Sequence, residues 1–98
     1  MIEQIKRLMS SIGYDECFAP ANLNDLYNSN CCIEFRKSIA GMYAVIDIHK
    51  GFISNEWKIG SYIEMDRDDF TLRSNQLTET EIRTVLKVID ILKENKTW

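Results

Sequence analysis

His49 is the only histidine in the chain, and Asp47 lies two residues before it. On a strand that spacing places both side chains on one face, where a carboxylate can orient an imidazole for acid and base work. The rest of a catalytic apparatus is missing. No G-x-S-x-G elbow occurs, and no serine or cysteine is placed by a motif as a nucleophile. The pair therefore reads as a half-exposed histidine at a strand end, no catalytic residue is assigned, and the chain is not expected to be an enzyme.

Cys17, Cys31, Cys32 and His49 are the possible zinc ligands. None falls in a C-x-x-C knuckle, and neighbouring cysteines on a strand diverge, so no metal site is expected. Cys31 is expected to pack inward with Ile33, leaving Cys32 on the outer face. Glu64, Asp66, Asp68 and Asp69 form the densest acidic cluster, and Asp66-Arg67-Asp68 opens like a calcium loop. The match then fails: Phe70 takes the fifth position, Thr71 stands where the turn glycine belongs, and Leu77 occupies the twelfth position in place of glutamate. The cluster reads as a solvated turn whose charge can steer a basic partner. Gly13, Gly41, Gly51 and Gly60 lie far apart with no G-K-[ST] after any of them, which argues against nucleotide hydrolysis and leaves no cofactor implied.

These residues must be positioned by the stretch 31–65, where three runs alternate apolar and polar residues. Cys31, Ile33 and Phe35 point one way, with Cys32, Glu34 and Arg36 opposite. Met42, Ala44, Ile46 and Ile48 share a face against Tyr43, Val45, Asp47 and His49. Trp57, Ile59, Ile63 and Met65 form the third apolar set, against Glu56, Lys58, Tyr62 and Glu64. One oily and one mixed face per run predicts an antiparallel sheet with a single covered side. A turn is expected over 38–40, with Gly41 opening the second run and Lys50 and Gly51 closing it. The third strand either extends from Phe52, with Gly60 as a bulge, or follows a longer hairpin tipped by Ser54 and Asn55. Phe70 and Leu72 are candidates for a short fourth strand.

Two helices flank the sheet. Ile2, Ile5, Leu8, Met9 and Ile12 recur at helical spacing over 1–12, and Gly13 supplies the stop. The segment 14–30 is irregular and holds the only proline; Pro20 with Leu23, Leu26 and Tyr27 can start a helical turn or two, and its length marks it as a candidate contact surface. The last helix opens with a capping box of Thr78 and Glu81, with Leu77 and Ile82 at staple positions. From Ile82 to Leu92 its apolar residues span an arc of roughly 220° at about 100° per residue, wider than one sheet can cover. Packing against the first helix is the favoured explanation, and an interface with another chain, in a homodimer or a tight hetero-complex, is the other.

The chain has 98 residues, enough for one α+β domain over 1–98: an N-terminal helix, a three- or four-stranded antiparallel meander, and a C-terminal helix packed on one face. No apolar run is long enough to span a membrane, and the start lacks the layout of a secretory signal, so a cytoplasmic protein is expected. Three cysteines do not make a disulfide framework. The net charge is -3 and the 12 lysines and arginines are scattered, which makes nucleic acid a poor partner. Abundant isoleucine and asparagine are typical of AT-rich coding sequence, which suggests a low-GC bacterium or one of its mobile elements. The functional expectation is a small acidic protein-binding inhibitor or adaptor, of the immunity-protein or phage anti-defence kind, with Tyr43, Tyr62, Asp66, Asp68 and Asp69 meeting the partner. The alternative is an oligomeric small-molecule or nucleotide-binding module in which Tyr43, His49 and Tyr62 line a pocket between subunits.

Overall fold

The computed structural model describes residues 1–65 and 73–95. Helix α1 (Ile2–Ser10) buries Ile5 and Met9, one turn apart, on the face that the spacing predicts. It ends two residues early, because Gly13 at φ 91° lets the Tyr14 N–H reach the Met9 carbonyl (3.0 Å) while its own N–H reaches Ser10 (3.0 Å). That pair of bonds is a Schellman stop, with glycine in the left-handed position.

Strand β1 (Glu16–Phe18) then pairs antiparallel with β2 (Ile33–Ile39), and between them the short helix α2 (Asn24–Tyr27) buries Leu26 and Tyr27. The segment 14–30 thus carries an edge strand that the sequence does not announce, besides the helical turn expected after Pro20. Tyr27 ties α2 to the rest: its hydroxyl donates to the Leu92 carbonyl (2.6 Å), and its ring meets Trp57 edge-on at 5.9 Å.

Strands β3 (Met42–Lys50) and β4 (Trp57–Met65) complete the meander, and β5 (Arg73–Ser74) closes the sheet order β1-β2-β3-β4-β5. β2 starts at Ile33 and not at Cys31, so Cys31 is half-buried ahead of the strand and Cys32 is exposed. The β2–β3 turn is not 38–40: Ile39 pairs with Met42, and Ala40 (φ 44°) and Gly41 (φ 81°) form a two-residue loop with both φ values positive, the pattern of a type I′ hairpin. The β3–β4 connection is the longer hairpin. It is held by Gly51 N–H to Glu56 carbonyl (2.7 Å) and Asn55 N–H to Gly51 carbonyl (3.0 Å), with Phe52 and Ile53 exposed at its tip. Gly60 is no bulge. It pairs in unbroken register with Asp47, and a Cβ there would lie 2.5 Å from an Asp47 carboxylate oxygen. The proposed strand at Phe70 and Leu72 lies outside the described residues, immediately before β5.

Helix α3 (Glu79–Glu94) starts at the capping box: Thr78 Oγ1 accepts from the Glu81 N–H (3.1 Å) and the Glu81 carboxylate accepts from the Thr78 N–H (2.9 Å). Val85, Val88, Ile89, Ile91 and Leu92 are buried against Ile33, Phe35, Ala44, Ile46 and Ile48 of the sheet and Ile5 and Met9 of α1. The wide arc of α3 is therefore mostly an intramolecular wedge, as α1 packs beside it. Ile82 and Leu86 are left over, 43% and 48% exposed. At the other end of α1, the Lys37 ammonium sits over the Tyr14 ring (4.8 Å) and 3.9 Å from Glu81, linking α1, β2 and α3. Among the described residues no helix is long and apolar enough to cross a membrane.

Candidate protein-binding surface

Helices α1 and α3 cover one side of the sheet, so the other side, bearing Glu34, Arg36, Tyr43, Val45, Asp47, His49, Lys58, Tyr62 and Glu64, is the open one. Arg36 is its centre. Its Nε donates to Glu34 (2.9 Å), and its two terminal nitrogens donate to the two oxygens of Glu64 (3.1 and 3.4 Å), reaching over β3 to do so. The guanidinium lies 5.6 Å from the Tyr43 ring centroid and 5.8 Å from that of Phe18 on β1. The Tyr62 hydroxyl donates to the second oxygen of Glu34 (3.2 Å). Hydrogen bonding to Glu34 holds Arg36 still more firmly protonated, and burial followed by the Glu34 charge pushes the Tyr62 hydroxyl up to about 12. Val45, directly opposite Arg36, faces outward and is nevertheless fully buried, so this layer of side chains acts as a lid on it.

Tyr43 and Tyr62 are thus brought together, both half-buried in one network. Asp66, Asp68 and Asp69 lie outside the described residues. Sequence reasoning missed Phe18, 55% exposed beside Arg36, because the strand that positions it is only three residues long.

Asp47 and His49 form the expected contact: the imidazole Nδ1 lies 2.9 Å from an Asp47 oxygen. The ring borders a shallow concavity of about 340 Å³ with Asn30, Cys31 and Cys32. Desolvation, then the charges of Asp47 and Glu34, push the Cys32 thiol up. Nucleophilic catalysis needs the opposite shift. Among the described residues no cluster of three His, Cys, Asp or Glu side chains could hold a metal ion. A second groove, about 560 Å³, runs between β4 and α3 on the helix side. Neither concavity is lined by Tyr43 or Tyr62.

Compared with known proteins, the chain matches no family model, no curated protein and no solved structure.

Proposed function

We propose that this chain is a small acidic inhibitor or adaptor, of the immunity-protein or phage anti-defence kind, that docks another protein on the open face of its sheet. The observation that carries the reading is the Arg36 cluster: a guanidinium held by three hydrogen bonds and flanked by Phe18 and Tyr43, with Tyr62 donating to the same Glu34. Arginine and tyrosine are the residue types that most often anchor interfaces. Here they are fixed on a sheet by neighbours on the same face, so docking orders few side chains. Phe18 supplies exposed apolar area beside the charge.

The test is comparative capture followed by titration. Wild type, Phe18→Ala and Tyr43→Ala, each shown to be folded by circular dichroism, are immobilised and exposed to a bacterial lysate, and every protein retained by wild type is expressed and titrated against all three. Truncating an anchor buried at the interface costs about 2 kcal/mol, or roughly 30-fold in Kd. A partner that binds all three proteins with equal affinity removes the open face from the interface.

A further inference from the structure

Among the described residues, the β4 side of the sheet ends in an open edge. Among the described residues β5 pairs only with Tyr62 and Ile63, and the Asn75 N–H donates to the Ser61 carbonyl (3.1 Å). Backbone polar groups alternate sides along a strand, so Ile59 and Trp57 present theirs to the same edge as Ser61. The Glu56 carbonyl turns the other way and accepts from Gly51 (2.7 Å), as that alternation requires. No described residue pairs with 57–60 on the outer side.

The two sheet edges are protected unequally. β1 is only three residues long and is followed by Pro20, which blunts it for pairing. The open part of β4 has neither bulge nor proline, and exposed apolar side chains flank it on the helix side. Ile59 and Leu86 are 38% and 48% exposed, and the groove beside them mixes apolar Trp57, Ile59 and Leu86 with charged Lys50, Glu56 and Lys93.

We infer that β4 is a dimer edge, paired antiparallel with β4 of a second copy about a two-fold axis at Trp57. Three registers are conceivable on this edge, and charge and hydrogen bonding choose among them. An axis at Lys58 would set two ammonium groups at the closest cross-strand approach. An axis at Ile59 would call on the Ser61 carbonyl, which already accepts from Asn75. An axis at Trp57 lets the two Trp57 backbones exchange both hydrogen bonds and is the register that places Glu56 of each copy opposite Lys58 of the other; the pairing ends there, because Ile59 falls opposite Asn55, whose N–H donates to the Gly51 carbonyl. The axis is perpendicular to the sheet, so the two sheets become continuous and the two copies of α3 lie side by side over Ile59 and Leu86. Both Arg36 clusters then face the same way. This inference does not rest on what the open face binds.

The experiment is a charge-swap cycle read by sedimentation velocity and native mass spectrometry at high micromolar concentration. Wild type is a dimer. Glu56→Lys sets lysine against lysine in both symmetry-related pairs and Lys58→Glu sets acid against acid, so each weakens self-association about tenfold or more. Mixing the two single variants restores attraction in both pairs and gives a heterodimer in preference to either homodimer, and the Glu56→Lys/Lys58→Glu double variant dimerises as wild type does. Residues 56 and 58 are exposed, so the monomeric fold survives, as circular dichroism melts will show. A monomeric wild type overturns the inference and leaves the groove to a different partner; single variants that dimerise like wild type overturn it by moving the interface off this edge.

Discussion

Replacing Arg36 with methionine removes the charge at the centre of the open face while leaving an unbranched stem above Val45. Glu34 and Glu64 lose their cation at side-chain exposures of 23% and 25%. Breaking one side of a fully buried ion pair costs about 3–5 kcal/mol, and an exposed pair is worth about 0–1 kcal/mol. At a quarter exposure, with three hydrogen bonds and two ring contacts gone, the expected loss is about 2 kcal/mol. Urea unfolding followed by circular dichroism measures it, and for a chain of this size the midpoint should fall by roughly 1–2 M. Adding Glu34→Gln and Glu64→Gln to the methionine variant removes the stranded charges and should recover more than half of the loss. A methionine variant within about 0.5 kcal/mol of wild type would show the cluster to be a solvated set of ion pairs. That result would also undercut the argument that the open face presents fixed anchors.

Three further outcomes follow from local geometry. Thr78→Ala removes one half of the capping box and should cost about 1 kcal/mol in urea melts; an unshifted midpoint would mean that α3 does not depend on this cap. Ala40→Asn puts a residue that tolerates positive φ where alanine sits at 44°, and should raise the urea midpoint by the equivalent of about 0.5–1 kcal/mol, an increase whose absence would count against the two-residue turn. Burial and then the Glu81 charge push Tyr14 from 10.0 to about 12, so the folded state keeps a proton that the unfolded state releases, and stability falls as pH rises across that window. Tyr14 is 1% exposed, and its share of that fall is about 2–3 kcal/mol; Tyr62 adds to the decline in the same direction. Urea midpoints from pH 10 to 12 should therefore drop less steeply in Tyr14→Phe, and equal slopes would refute the assignment.

The faces of the sheet and the start of α3 were legible because each rests on a local pattern: alternation over five or more residues, and a side chain bonding to a backbone three residues away. β1 was not, since Glu16, Cys17 and Phe18 are too few to show a period and become a strand only by pairing with Arg36, Phe35 and Glu34. The Arg36 centre failed to emerge for a different reason. Glu34 is visible two residues away on the same face, but Glu64 is reached only across β3, and which residues meet there depends on register. The register was within reach. Inward residues are odd-numbered on β2 and even-numbered on β3, so paired positions must sum to an odd number, as Phe35 with Ile46 does. A three-residue turn over 38–40 would pair 37 with 41, an even sum, and would set every inward residue against an outward one. The alternation itself therefore excludes that turn and demands a loop of even length. Ala40-Gly41 is the loop that keeps Ile39 and Met42 on the same side, but alanine in its first position lacks the Asn-Gly or Asp-Gly signal by which such turns are found. Once it is placed, Arg36 falls opposite Val45, Tyr43 falls opposite Glu64, and the guanidinium reaches Glu64 diagonally past the Tyr43 ring. The Arg36 cluster on the open face is thus a consequence of one two-residue turn, written in the sequence through the parity of its faces.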